Sequence, residues 1–251
     1  MSERGVARVY VTEPLAAGAV LDLAPGQAHH LRTVLRLGAG TAVAAFNASD
    51  GEWICRLTET GRNRVALAVE QRTRPAEAAA AADLWLVFAP IKRARLDWLI
   101  EKATELGAGA LLPVWTQRTQ TERLNLERLR AHAVAAAEQS ERLSVPELHK
   151  PQALDRVLAD WSSERRLVVC DETGGGEPIG AAVARLGIGP TALLTGPEGG
   201  FAETELDAME KLSFVTRVGL GPRVLRADTA AVAALAVLQA IAGDWRRGRG
   251  E

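Results

Sequence analysis

The chain has 251 residues, of which 47% are hydrophobic and 24% are charged, and its formal net charge is −1. This length allows one large domain or two smaller ones with a substantial core, and the composition is that of an ordinary globular protein. The near-neutral charge excludes an overall basic field, so any nucleic-acid site must be a local patch.

The two cysteines, Cys55 and Cys170, lie far apart and cannot form a disulfide framework. We expect each to be a small buried residue on a strand, in a reducing compartment. The histidines show no metal-ligand spacing, and the longest apolar stretch, 230–242, is too short to span a membrane. The amino terminus has no apolar signal segment. We therefore expect a cytoplasmic protein with no metal and no membrane association.

Residues 1–72 are predicted to form a β-rich domain, because short runs of β-branched or alternating apolar residues recur there. Ser49-Asp50-Gly51 predicts a hairpin turn between two of these strands, and one helix interrupts them. Such closely spaced short strands are typical of a small barrel. The strands are predicted at 8–11, 42–47, 52–59 and 64–71, and the helix at 27–36.

The segment 73–82 is predicted to be a linker, since it contains a proline and an alanine run without apolar periodicity. From residue 83 to residue 251, apolar strands alternate with helices, which predicts an α/β domain with a mostly parallel sheet. Strands are predicted at 84–89, 110–114, 166–171, 192–195 and 214–218. Helices are predicted at 95–106, 125–142 (with Asn125 as its N-cap), 154–161, 203–212 and 227–243.

A glycine-rich turn, Thr195-Gly196-Pro197-Glu198-Gly199-Gly200-Phe201, directly follows one of these strands. In a parallel sheet, ligands bind at the loops that leave the carboxyl ends of the strands. Glycines let the backbone approach a ligand closely. The turn matches neither of the common phosphate-binding patterns, GxxxxGK[ST] and GxGxxG. An ordinary strand-to-helix turn explains one or two glycines, but less easily this whole run.

A second turn, 220–226, has the sequence LGPRVLR and also lies between a strand and a helix. Its arginines, Arg223 and Arg226, can bind an anion or pair with Asp228 or Glu198. Other basic residues follow the first two strands of the domain and suit phosphate contacts, although each alone is also explained by solubility. These are Lys92, Arg93, Arg95, Arg118 and Arg123. At the end of a helix, Glu138 and Arg142 are spaced for a surface pair.

Five segments in this order resemble the RsmE family of 16S ribosomal RNA uridine-N3 methyltransferases, members of the SPOUT superfamily. They are HHLRTVLRLGAG at 29–40, EKATELGAGALLPVWTQRT at 101–119, AEQSERLSVP at 137–146, LLTGPEGGFAETE at 193–205 and LGPRVLRADTAAVAAL at 220–235. One departure is visible, because Asp228 stands where the family usually has Glu.

The resemblance implies a PUA-like RNA-binding β-barrel followed by an α/β domain with a SPOUT-type trefoil knot, and it implies a homodimer. It also implies S-adenosyl-L-methionine as cofactor and 16S rRNA or the small ribosomal subunit as partner. Backbone groups and apolar side chains of the two glycine turns would bind the cofactor, and basic residues would contact RNA. The implied cofactor residues are Leu194, Thr195, Gly196, Gly199, Gly200, Leu220, Gly221, Val224 and Leu225. The implied RNA contacts are Arg32, Arg36, Lys92, Arg93, Arg118 and Arg142.

The uracil N3 is neutral and weakly nucleophilic, so a base is useful in its methylation. Glu198 is the candidate for a role near the reacting atoms, and Arg118 or Arg226 can stabilise negative charge on the uracil oxygens. Two alternatives stay open at this point. One is a SPOUT methyltransferase with a different RNA target, and the other is a non-catalytic RNA-binding ribosome-assembly factor that retains the fold.

Overall fold

The computed structural model describes residues 5–59, 64–76, 83–121 and 123–246. The chain divides into two compact units, each with its own sheet. The first unit comprises residues 1–79 and 137–145, and the second comprises residues 80–136 and 146–251.

The first unit contains a five-stranded sheet in the order β1-β3-β4-β5-β2. In β5, Val65, Leu67 and Val69 alternate and all three belong to the buried core of this unit, as their spacing predicts. The predicted hairpin is present, because β3 and β4 are antiparallel and Asn47 pairs with Gly51. The short edge strand β2 was not predicted. The strands are β1 (Arg8–Tyr10), β2 (Val20–Asp22), β3 (Ala42–Asn47), β4 (Gly51–Glu59) and β5 (Val65–Arg74).

The ends of two predicted segments in this unit differ in the structure. The predicted helix over 27–36 is α1 (Pro25–His29), which continues as a π-helix over His30–Val34. It stops before Arg36, which has a left-handed backbone with φ 57°. Strand β5 runs to Arg74 and so enters the predicted linker, of which residues 77–82 lie outside the described residues.

The segment 137–145 is fixed to the first unit by the side chain of Arg8. This guanidinium donates hydrogen bonds to the carbonyl oxygens of Ala137 (3.0 Å), Glu138 (2.9 Å) and Arg142 (2.9 Å). The Glu138 carboxylate accepts the backbone N–H of Tyr10 at 3.0 Å, and burial raises its pKa. The predicted surface pair between Glu138 and Arg142 is therefore wrong, since Glu138 is turned toward β1.

The second unit contains an eight-stranded sheet of parallel pairs, in which seven strands follow the order β11-β13-β10-β12-β6-β7-β8 and β9 is paired to β7. The five longer strands were predicted, and the three two-residue strands were not. The strands are β6 (Leu84–Phe88), β7 (Ala110–Trp115), β8 (Glu147–Leu148), β9 (Gln152–Ala153), β10 (Arg166–Cys170), β11 (Glu177–Pro178), β12 (Thr191–Thr195) and β13 (Val215–Gly219).

The helices of the second unit cover its sheet. Helices α2 and α5 each pack on α7, and α7 lies against β10 and β12. The predicted N-cap is confirmed, because Asn125 Oδ1 accepts the N–H of Arg128 at 2.9 Å. Helix α5 was not predicted, and α3 ends three residues earlier than expected. The helices are α2 (Arg93–Glu105), α3 (Leu126–Gln139), α4 (Leu154–Ala159), α5 (Ile179–Leu186), α6 (Glu203–Glu210) and α7 (Ala227–Ala242).

Strand β12 is buried on both faces. Ala192 and Leu194 belong to one core cluster, together with residues of α4 and α6. Leu193 lies between them in sequence and points to the opposite face, yet it is equally buried. This explains why the strand has a continuous apolar sequence rather than an alternating one.

No helix among the described residues is both long enough and apolar enough to cross a membrane. Within the same residues, no cluster of three or more His, Cys, Asp or Glu side chains is arranged to hold a metal ion.

We expect both thiols to be unreactive in the folded protein. Burial raises the pKa of Cys55 to about 11 and that of Cys170 to about 12, because apolar surroundings disfavour the thiolate. At pH 8 the thiolate fraction of each should be at least roughly a hundredfold below that of a free cysteine. Mass spectrometry after iodoacetamide treatment should find both residues unmodified in native buffer and alkylated in guanidinium chloride. Rapid native alkylation of Cys170 would contradict its burial.

Candidate functional site

The two glycine-rich turns lie at the same edge of the parallel sheet. The first glycine loop (196–202) follows β12, and the second glycine loop (220–226) follows β13. Because all these strands are parallel, their carboxyl ends meet at one edge, where ligands bind in such sheets. Strand β10 separates β12 from β13, so the two loops start about 10 Å apart. The loop after β10 therefore begins between them.

The first glycine loop is a tight turn. The N–H of Gly200 donates to the carbonyl oxygen of Pro197 at 3.0 Å, and Gly200 has a φ of 69°. Such a backbone is strained for any residue with a Cβ, so this position requires glycine. Gly199 has no such restriction, because a Cβ there would meet Arg118 only at an ordinary 3.6 Å.

Two side chains join the first glycine loop to the loops that follow β6 and β7. Glu198 Oε1 accepts the backbone N–H of Lys92 at 3.0 Å. In the other direction, the Arg118 guanidinium donates to the carbonyl oxygen of Gly199 at 3.0 Å. Glu198 and Arg118 are both exposed, so each also faces solvent where a substrate can approach. The structure thus brings together two of the three predicted catalytic residues.

Glu205, near the start of α6, connects the same loops a second time. One of its carboxylate oxygens accepts the N–H of Ala202 at 2.8 Å, and the other accepts the N–H of Gln117 at 2.9 Å. The Gln117 side chain in turn donates to the hydroxyl of Thr204 at 3.0 Å. The loop after β7 is therefore held against the helix that the glycine loop enters.

The loop after β10 contributes a third carboxylate. Glu172 Oε1 accepts the N–H of Phe201 at 2.9 Å, at the end of the first glycine loop. A Cβ on Gly200 would lie 1.8 Å from this same oxygen. The backbone conformation thus requires glycine at 200, and a larger residue there would also displace the Glu172 carboxylate.

Asp171 and Arg217 hold the start of this loop. Two nitrogens of the Arg217 guanidinium lie 2.7 and 3.2 Å from Asp171 Oδ2, and the hydroxyl and N–H of Thr173 donate to Oδ1. Burial alone would raise the pKa of Asp171, but these hydrogen bonds and the positive charge of Arg217 lower it overall. The ionised pair fixes the loop that carries Glu172.

The second glycine loop is more open than the first. Gly221 has a φ of 93°, and no atom lies within 4 Å of an ideal Cβ built on it. Val224 is 85% exposed, which is unusual for a large apolar side chain. Arg226 is exposed at the N-cap of α7. The loop thus combines accessible backbone with accessible apolar surface.

Asp228 lies in the first turn of α7, where a carboxylate interacts favourably with the helix dipole. It is the second residue of the helix rather than its cap. Its Oδ1 is buried, and no described residue forms a hydrogen bond with it.

The other predicted site residues are distributed over both units. Leu194 and Thr195 are buried in β12, and the carbonyl oxygen of Thr195 accepts the N–H of Ala89 at 3.0 Å. Lys92 and Arg93 are exposed at the same sheet edge as the glycine loops. Three RNA-contact candidates belong to the first unit, where Arg32 forms an ion pair with Glu59 at 3.0 Å and Arg142 donates to Ser144 at 3.2 Å; the third is Arg36.

Sequence reasoning missed the residues that hold the loops together, namely Glu172, Glu205, Gln117 and the pair formed by Asp171 and Arg217. Their partners are 29 to 88 positions away along the chain, so no local pattern reveals the contacts. The only available signal was an acidic pair, Asp171-Glu172, at the carboxyl end of a predicted strand.

Comparisons with known proteins agree with this geometry. A family model described as RNA methyltransferase domain matches residues 78–239, and one described as RNA methyltransferase PUA domain matches residues 23–70. Ribosomal RNA small subunit methyltransferase E from Rickettsia conorii is 30% identical, over 91% of this chain and 93% of that protein. The protein of the same name from Bacillus subtilis is 31% identical, over 84% and 86%.

A solved structure extends the likeness to the whole fold. The crystal structure of ribosomal RNA small subunit methyltransferase E from Neisseria gonorrhoeae, bound to S-adenosyl methionine, is 27% identical to this chain with a TM-score of 0.84. The match covers 95% of this chain and 99% of that chain. The expected α/β fold with an amino-terminal PUA-like domain is confirmed.

We expect Gly200→Ala to destabilise the protein, whereas Gly199→Ala should not. The first change strains a left-handed backbone and drives a Cβ into Glu172, at a cost of about 1–3 kcal/mol of unfolding free energy. The second meets only ordinary contacts and serves as the matched control. Thermal denaturation of both variants measures the difference. Equal melting temperatures would contradict both the backbone strain at Gly200 and the close approach of Glu172.

Proposed function

Because this chain belongs to the ribosomal RNA small subunit methyltransferase E family of RNA methyltransferases, we propose that it methylates N3 of a uridine in 16S ribosomal RNA with S-adenosyl-L-methionine. The observation that carries the proposal is the pair of glycine loops at one sheet edge of a chain that matches these relatives over most of its length. The printed names of the relatives supply the ribosomal RNA substrate, and the Neisseria gonorrhoeae structure supplies the cofactor.

The two loops fit an adenosyl group. Gly221 leaves open space beside its backbone, and Val224 offers exposed apolar surface next to it. Backbone amides and carbonyls read adenine, and apolar groups pack on its faces. When bound, S-adenosylmethionine supplies a methyl group that is already activated on a sulfonium centre. The proposed cofactor residues are Leu194, Thr195, Gly196, Gly199, Gly200, Leu220, Gly221, Val224 and Leu225.

Glu198 is the proposed acceptor of the N3 proton. Its Oε1 is engaged by the N–H of Lys92, and no described residue donates to its Oε2. Oε2 is therefore available to a substrate, while the hydrogen bond to Lys92 fixes the direction of the carboxylate. Arg118, which is held by the carbonyl of Gly199, keeps further guanidinium N–H groups for the uracil oxygens. Arg226 is a second candidate for the same role.

The wider assembly follows from the same family membership. We propose that the second unit contains a trefoil knot, that the enzyme is a homodimer and that it acts in the cytoplasm. The family membership alone supports these three proposals. The proposed RNA contacts are Lys92, Arg93 and Arg118 in the second unit, and Arg32, Arg36 and Arg142 in the first.

Deletion of the gene tests the proposed reaction directly. Small-subunit rRNA from the deletion strain should lack one 3-methyluridine per molecule, and complementation should restore it. Nucleoside mass spectrometry measures the change. Calorimetry with the purified protein should also detect binding of S-adenosylmethionine. An unchanged 3-methyluridine content would contradict the proposed reaction. RNA binding without any cofactor binding would favour a non-catalytic assembly factor.

Substitution of Glu198 separates its structural role, the hydrogen bond with Lys92, from its proposed role as proton acceptor. Glu198→Gln keeps an oxygen that can accept the N–H of Lys92 but cannot take a proton, so turnover should fall roughly 100-fold or more. Cofactor affinity should change little. Glu203→Gln, an exposed carboxylate on α6, is the matched control. Single-turnover methylation of unmodified rRNA measures the rate, and wild-type turnover by Glu198→Gln would exclude it as the base.

A further inference from the structure

A cleft of about 480 Å³ lies between the start of α2 and the loop that leads from β7 into α3. We name it the arginine cleft, because Arg93, Arg123 and Arg128 line it. The other described residues that line it are the polar Thr121 and Asn125 and the apolar Ile91, Leu96 and Leu124. None of the three arginines belongs to the glycine loops, so the cleft is a second feature of the same unit.

The charge of the arginine cleft is only partly compensated. Arg128 is paired with Asp97, although its Nε is buried and has no hydrogen-bond partner among the described residues. Arg93 and Arg123 are exposed, and neither forms an ion pair within the described parts of the chain. Among the residues that the structure describes, two positive charges therefore face one cavity without an ion-pair partner. This arrangement suits an anionic ligand.

The start of α2 adds to the positive electrostatic potential of the arginine cleft. Its N-cap, Lys92, provides no side-chain hydrogen bond to the first turn, and that turn contains no acidic residue. Cations at a helix N-terminus are disfavoured by the helix dipole, and an anion placed there offsets this repulsion. By contrast, α3 is capped by its own Asn125. The first turn of α2 thus has no carboxylate of its own, and the nearest acceptor is Glu198, which takes the N–H of the N-cap residue Lys92.

The cleft lies beside the proposed reaction site. Lys92 directly precedes Arg93, and its backbone N–H donates to Glu198 in the first glycine loop. A ligand held by Arg93 is therefore one residue from the contact that orients the proposed base. Arginine forks match the geometry of phosphate oxygens, and Thr and Asn side chains commonly add hydrogen bonds to phosphate or sugar.

We propose that the arginine cleft binds a backbone phosphate of the RNA substrate next to the nucleotide that is methylated. This inference rests on the proposed function, since it takes RNA as the ligand. Arg93 and Arg123 supply the free charge, and Arg128 forms the wall of the cleft while Asp97 holds it in place. The cleft positions the strand and carries no base specificity.

The double variant Arg93→Ala/Arg123→Ala tests the proposal. Its control is Arg130→Ala/Arg156→Ala, which removes two exposed arginines that do not line the cleft. Binding of an unmodified 16S rRNA transcript is measured over a range of salt concentrations. The slope of log affinity against log salt should lose about 0.7–0.9 for each phosphate contact removed, and affinity at low salt should fall roughly tenfold. The control should behave as the unaltered protein.

Three further outcomes separate the possible failures. Wild-type affinity and slope in the double variant, with transcript binding intact, would overturn the arginine cleft but leave the proposed function standing. Failure of the unaltered protein to bind the transcript would overturn both. Loss of the dimer by the double variant in sedimentation experiments would show that a second copy of the chain covers the cleft, and this also would overturn the proposal. Calorimetry with S-adenosylmethionine should give the same affinity for all three proteins.

Discussion

Strand β12 is hydrogen-bonded to β6 on one side and to β10 on the other, and the three strands run in the same direction. This parallel pairing sends the loops after all three strands to one edge of the sheet. Both faces of β12 are buried, and a shift of register by one residue would move Leu193 and Leu194 each to the opposite face of the sheet. The position of each loop that the proposed activity uses is therefore determined first by the core.

Three carboxylates form hydrogen bonds between the loops at this edge of the sheet and so connect them into one site. Glu198 accepts an N–H from the loop after β6, and Glu205 accepts one from the loop after β7. Glu172, on the loop after β10, accepts an N–H from the first glycine loop itself. Hydrogen bonds from a neutral N–H to an ionised carboxylate are stronger than those between neutral groups. The first glycine loop thus keeps its conformation through its neighbours as well as through its own turn.

Much of this architecture was predictable from sequence, and the missing parts have identifiable causes. The long apolar strands and the N-cap at Asn125 were found because their signals are local. The two-residue strands have too few residues to show a period. The Glu138–Arg142 pair was predicted from helix spacing, but α3 ends at Gln139 and the Glu138 carboxylate accepts the backbone N–H of Tyr10. The glycine-rich sequence of residues 196–200 indicated a ligand site. The contact between Glu172 and Phe201 could not be found in this way, because it depends on the folded sheet.

The contact between Glu172 and Gly200 also has an evolutionary consequence. Since a Cβ at position 200 would occupy the place of the Glu172 carboxylate, a larger residue there would displace Glu172 from its hydrogen bond with Phe201. In a homologue with a larger residue at the position of Gly200, we expect a shorter or reoriented side chain at the position of Glu172, or a rearranged turn. Substitutions at positions 172 and 200 should therefore be correlated among homologues, so that the sequence of the first glycine loop depends partly on the loop after β10.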